Sequence, residues 1–268
     1  MSGAAERAGK LRLGGMALAN GLLVHGPTSW AAAVRRRDGS IAVASGRKPR
    51  VEGAIAGVPG IRGVVRLGEA LAVVPLVKRA LPEARLPFED ARVLGAAIAV
   101  SAGGTALRRR AGATPATEAA VALLSVVPSL VALRGGQTAA YHGVEHKAIA
   151  AYELGAADAR DAAKEHDRCG SHLLAPMLAA NVAGAALLHR LVEHPPKAAG
   201  LAVSAAAAGA AVEVFAWSER HRGSRLERLL SRPGDGLQRA IGTREPTDAQ
   251  LEVGRAALAA ILRAERAA

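Results

Sequence analysis

Aromatic side chains are nearly missing from this sequence, with two Trp, two Tyr and two Phe among 268 residues. Single-stranded nucleic acid is held largely by bases stacked on such rings, so that class of partner is not expected. Cysteine is scarcer still. Cys169 stands alone, which excludes an intrachain disulfide and a multi-cysteine zinc finger and fits a reducing compartment. The stretch from Met1 to Lys10 is small and polar. No apolar run follows it at the distance of a cleaved export signal, and none is expected. Acidic residues are also outnumbered: 35 Lys and Arg against 23 Asp and Glu leave a formal charge of +12. Nucleic acid, an anionic membrane surface, or the cytoplasmic flanks of membrane helices would each suit that excess. With stacking residues and finger spacing both missing, the lipid bilayer is the expected partner.

What is plentiful is alanine, valine and leucine, in a chain that is 50% hydrophobic. Four long apolar stretches stand out: Ala91 to Leu107, Ala116 to Leu133 with Pro128 as a kink, Leu173 to Leu191, and Ala198 to Trp217. Each approaches the ~20 residues needed to cross ~30 Å of hydrocarbon. Their Ala and Gly faces allow close helix contact in lipid. A soluble bundle with buried central helices is the rival reading, which four uncharged cores of this length disfavour.

Charge sets an expected topology. The basic N-terminal segment and the tail with Arg220, Arg222, Arg225, Arg228 and Arg232 place both termini in the cytoplasm of a multi-pass cell-membrane protein. Four crossings then leave the loop 134–172 in the cytoplasm too. Arg108-Arg109-Arg110 runs against this rule; either it is outvoted, or the first two segments form a re-entrant hairpin.

Before those stretches the chain is punctuated by Gly14-Gly15, Gly21 and Gly26-Pro27, a sign of turns and a strand edge. Two short runs, 29–36 and 40–45, flank Arg37-Asp38-Gly39 and read as a β-hairpin. Ile61 to Leu81 is either an interfacial helix or an ordinary amphipathic helix packed on that hairpin. Near the end, Thr247 and Gln250 form a capping box, and Leu251, Leu258, Ile261 and Leu262 give one apolar face. The expected fold is therefore mainly α: a polytopic helical membrane protein of about four apolar helices, with a small N-terminal β-hairpin region and a C-terminal cytoplasmic helix. Three regions follow: 1–88 cytoplasmic, 89–219 membrane helices with the loop, and 220–268 cytoplasmic tail.

The chemistry gathers in that loop. Tyr141-His142-Gly143-Val144-Glu145-His146-Lys147 reads H-x-x-E-H, the reversed zincin order. Residues three and four apart share a helix face, so two imidazoles and a carboxylate converge. His142 and His146 are candidate ligands for Zn²⁺, and Glu145 a candidate general base toward metal-bound water. A pairing of these histidines with the glutamate or with backbone carbonyls is the plainer alternative. Downstream, His166-Asp167-Arg168-Cys169-Gly170-Ser171-His172 offers Cys169 or His166 to complete a metal site, with His172 close by. Cys169 as a small buried residue and His172 as a polar cap are the alternatives. Glu213, late in the fourth apolar stretch, is an ionisable group in an expensive place, or one near enough to the interface to reach water.

Four phrases in order make the chain resemble a bacterial family of membrane proteins, DUF1385, sometimes described as predicted metal-dependent enzymes. The family's G-G-Q-A-V-x-E-G-V-M is similar to Gly14 through Leu23, its F-H-G-A-E-H-K to Tyr141 through Lys147, its H-x-R-C-G-S-S to His166 through His172, and its T-K-E-P-x-D-x-Q-x-E-V to Thr243 through Val253. The resemblance implies a membrane protein with a metal site and no stated reaction. Two departures stand out: Asn20 replaces the family's glutamate and Met16 its glutamine. If that glutamate served the metal, this chain lacks it. Two classes of function fit: a metal-dependent hydrolase at the cytoplasmic membrane face, or a non-catalytic assembly factor or carrier in which the His/Glu/Cys cluster is structural and Glu213 links helices.

Overall fold

The computed structural model describes residues 10–53, 58, 60–112, 114–134, 136–156, 158–193 and 195–268. Four antiparallel strands form one sheet in the order β1-β2-β3-β4: β1 (Gly14–Ala17), β2 (Gly21–His25), β3 (Ser29–Arg35) and β4 (Ile41–Arg47). The expected hairpin is β3–β4, in which Arg35 pairs Ile41 and Gly39 supplies a φ of 86° in the turn. The sheet is larger than a hairpin, because the glycine-punctuated stretch before it forms two further strands. β2 and β3 are buried on both faces, so their sequences show no alternation. Their side chains nevertheless divide with period two. Leu22, Val24, Ala31 and Ala33 enter one core, and Leu23, Ala32 and Val34 the other.

Helix α1 (Ile61–Ala80) covers the second face through Val73 and Val77. This is the amphipathic helix packed on the sheet, although Ile61, Leu67 and Leu71 remain exposed. The first face is covered by α5 (Gln137–Leu154) and by the C-terminal helix α9 (Asp248–Arg266), with Tyr141, Val144, Leu251, Val253 and Ile261 in the shared core. Burying a Leu or Ile side chain stabilises by roughly 1.5–3 kcal/mol, and the fully buried Ile261 and Val144 anchor this contact. The capping box at Thr247 and Gln250 starts α9 as expected. One core thus draws on segments more than 200 residues apart.

Between these elements lie the apolar helices: α2 (Ala91–Ala111), α3 (Pro115–Leu124), α4 (Val127–Arg134), α6 (Leu174–Leu191) and α7 (Lys197–Arg220), followed by α8 (Arg225–Leu237). Where a kink was expected at Pro128 the helix breaks, because α3 ends at Leu124 with Ser125 as its cap and α4 begins one residue before a proline that has no N–H to donate. α2 packs on α3 and α4, and α6 on α7, where Val203 closes against Gly184. Among the described residues three helical stretches, not four, are long and apolar enough to cross a membrane: Pro115–Arg134, Gly170–Leu191 and Ala198–Arg220. α2 falls short because Arg92 and Arg108 to Arg110 crowd its ends and glycines dilute its middle.

Candidate metal centre

The helix that carries H-x-x-E-H is bounded by two glycines in the left-handed region, Gly136 (φ 80°) and Gly155 (φ 68°). At the C-terminal end, Gly155 N–H donates to Tyr152 O and Ala156 N–H to Ala151 O (2.9 Å), a Schellman closure. Between them, Gly143 has a separate task. A side chain at this position would run into the carbonyl of Arg244. Its absence lets the segment 242–244 lie directly on α5, where Arg244 N–H donates to Ala139 O at 2.9 Å.

That close approach sets the histidines. His142 Nδ1 lies 2.8 Å from the carbonyl of Gly242, and His146 Nδ1 lies 2.6 Å from the carbonyl of Lys164. A carbonyl can only accept, so in each neutral ring Nδ1 carries the proton and Nε2 keeps its lone pair. The two rings sit 4.3 Å apart, centroid to centroid. Cys169, at the start of the short helical turn Gly170–Leu173, brings Sγ to 3.3 Å from His142 Nε2 and accepts from Ser171 N–H at 3.4 Å. Ligand atoms of His142, His146 and Cys169 all lie within 4.8 Å of one another. Two imidazole nitrogens and a thiol at this spacing could hold a metal ion. Binding would displace the thiol proton now shared with His142.

Glu145 completes the picture. It is buried, forms no hydrogen bond among the described residues, and packs on Gly15, where a side chain would meet its carboxyl group at 2.8 Å. His142, His146, Cys169 and Glu145 share one cavity of about 390 Å³ with Gly14, Gly15, His25, Lys48, His166 and Arg168. His166 reaches the cavity but not the ligand group. Its Nδ1 accepts from Arg168 N–H (3.2 Å) and its Nε2 faces Glu153 at 3.6 Å. His172 is turned elsewhere, against Gln238 Nε2 (3.1 Å) and Asp235 (3.6 Å). Asn20 is a clasp outside the cavity: its amide donates to Arg35 O and Glu83 O and accepts from Arg85 N–H. Glu213 joins α7 to α1, accepting from Gly60 N–H (2.9 Å) and Arg62 Nε (2.8 Å).

Several supporting residues carry no obvious signal in the sequence. Gln238 is fully buried and clamps the cysteine loop, accepting from His166 N–H (2.9 Å) and donating to Ser171 Oγ (3.0 Å). Lys147, buried, donates to Arg160 O (3.0 Å) and Ala162 O (2.8 Å) and pairs with Glu245 (2.7 Å), tying the loop and the T-x-E-P phrase to α5. Its place directly after the histidine motif was the only hint. Glu153 pairs with Arg168. Burial pushes its carboxyl up, but hydrogen bonds from His166 and Arg168 and their charges outweigh this and hold it at about 2. Burial, aided by the charge of Lys48, lowers His25 to about 4.

Residues 135–264 match the model described as a protein of unknown function, DUF1385. The chain belongs to the DUF1385 family. No curated protein and no solved structure matches it. The DUF1385 match holds every candidate ligand and the carbonyls that orient them. The sheet lies outside the match and supplies Gly15, His25 and Lys48 to the same cavity.

Proposed function

We propose that this DUF1385 protein is a multi-pass membrane protein and a metal-dependent hydrolase whose site lies at the cytoplasmic membrane face. One observation carries the reading: both Nδ1 atoms are committed to carbonyls, so two Nε2 atoms and Cys169 Sγ converge beside an unpartnered carboxylate. A bound Zn²⁺ would supply an acidified water and a Lewis acid there. His142, His146 and Cys169 hold the ligand positions, the carbonyls of Gly242 and Lys164 keep the tautomers, and Glu145 takes a proton at its free oxygen. The membrane placement rests on three apolar stretches and the basic flanks. Because the sheet, α5 and α9 share one core, the N-terminal region, the site and the C-terminal helix lie on one side of the bilayer. α6 and α7 therefore cross and return, whereas of α2 and α3–α4 only the second is long and apolar enough to span, so that pair dips in and returns as a re-entrant hairpin.

Glu145→Gln tests the reading. The amide keeps the volume but removes the base, so the variant should retain metal and lose biological activity by ~10²–10⁴-fold. His146→Ala should lose metal. Metal content and complementation in cells, measured together, decide. Full complementation by metal-bound Glu145→Gln would instead support a non-catalytic assembly factor or carrier, the reading favoured by the Arg62–Glu213 link between helices.

A further inference from the structure

The cavity over the ligand group is unevenly charged. Arg12, His25, Lys48 and Arg168 line it beside the three candidate ligands and His166, and Glu145 is its sole acid among the described residues. Two of these cations are already answered outside the cavity, Arg12 by Glu219 (3.0 Å) and Arg168 by Glu153. Lys48 is not. It is half-buried, and no carboxylate lies within ion-pair distance of it among the described residues. The acids whose charge reaches it, Glu69 and Glu265, are engaged elsewhere. Glu69 accepts from Val51 N–H (2.7 Å) and pairs with Arg66 (2.7 Å), and Glu265 accepts from Thr28 N–H (2.8 Å), Thr28 Oγ1 (2.9 Å) and Ser29 N–H (2.6 Å). His25 has a buried Nδ1 with no hydrogen-bond partner. A half-buried ammonium without an ion-pair partner thus lines the cavity beside an imidazole with an unmet nitrogen, and an anion entering there would supply the missing counter-charge.

We propose that this cavity receives a phosphoryl group, held on its sheet side by Lys48 and His25 and on its helix side by the metal position. The inference rests on the metal reading and names the substrate class of that site. Phosphoryl fits better than carboxylate. It offers three oxygens and up to two negative charges to an ammonium, an imidazole and a dication set around it, whereas a carboxylate has two coplanar oxygens and one charge. There is open space beside Gly14, where a side chain would meet nothing within 4 Å, so the approach on that side has room.

The test uses the full chain in detergent, with metal content measured first. Inorganic phosphate is titrated by calorimetry, with acetate as the carboxylate control. Wild type should bind phosphate at least tenfold more tightly than acetate. Lys48→Gln should lose at least tenfold in phosphate affinity with metal content and melting temperature unchanged, and Lys48→Arg should keep it. Lys78→Gln, a cation outside the cavity, should bind as wild type. Displacement of phosphate by glycerol 3-phosphate or by phosphatidic acid in mixed micelles then separates a soluble ester from a lipid headgroup, either of which supports the pocket. Phosphate bound equally by Lys48→Gln, acetate bound as tightly as phosphate, or no phosphate binding overturns the inference. Metal retained with phosphate unbound removes the pocket alone. Phosphate bound through Lys48 by a chain without metal removes the hydrolase reading and leaves the pocket standing.

Discussion

Helices α5 and α7 invert the usual relation between polarity and burial. α5 has 18 residues and buries Glu145, His146, Lys147 and Glu153 within the protein. α7 has 24 residues, mostly alanine and other apolar types, yet Leu201 is 73% exposed to the surroundings. Soluble domains do the reverse. In α5 the polar groups are retained because each buried one has a partner or faces the cavity, so its surroundings are built around chemistry. In α7 the apolar surface around Leu201 has no protein cover among the described residues, which suits a helix whose solvent is hydrocarbon. Polar groups are buried around the ligand group, and apolar ones are exposed on a stretch long and apolar enough to cross a membrane.

The largest expected effect breaks α5 at its contact with the C-terminal phrase. Gly143→Ala would push the Arg244 carbonyl away and with it Gly242, whose carbonyl holds His142. Loss of several kcal/mol of stability, of the order seen for overpacked cores, is expected together with loss of bound metal. Normal melting and normal metal content in that variant would show that the close approach does not set the site.

Next comes Glu153. Its carboxyl is held down at about 2 in the folded protein against an ordinary value near 4.5. A depressed acid contributes stability that is present above the unfolded value and lost as pH falls, here between about 4.5 and 2. The contribution is on the order of 2–3 kcal/mol. Glu153→Gln should therefore melt lower than wild type at pH 7, and the gap should narrow as pH falls below about 4.5 and close near pH 2. A gap that stays constant with pH would remove the ion pair from the account.

The smallest effect is expected on α7. Glu213→Gln keeps an oxygen to accept from Gly60 N–H and Arg62 Nε, so its cost should be small. A loss as large as that of Glu153→Gln would erase the contrast between the two helices, and melting curves in one detergent compare them directly.

Much of this was legible beforehand, for identifiable reasons. The H-x-x-E-H spacing puts His142 and His146 on one helix face whatever surrounds them, and Cys169 is the lone thiol. The β3–β4 turn follows from Asp38-Gly39. Of the four long alanine-rich runs, three form helical stretches long and apolar enough to cross a membrane. β1 and β2 were less legible, because a strand buried on both faces loses its alternation. α2 misled because its apolar core hides how its arginines and glycines weaken it. Gln238 and Lys147 gave no sign of their roles, since burial of a polar side chain is a property of its neighbours.

The sequence by itself determined which groups can ligate and which helices can meet lipid, since both depend on residue type and on spacing within one element. The tertiary structure decided the rest. The tautomers of His142 and His146 depend on carbonyls at Gly242 and Lys164, His166 and His172 are drawn off by Glu153 and Gln238, and Asn20 is a clasp and not a ligand. It also placed Lys48 and His25, from the other end of the chain, over the metal position. These are contacts between residues 15, 18 and 100 apart in the chain and farther still across the cavity, and no local rule of spacing can anticipate which backbone carbonyl will meet which ring.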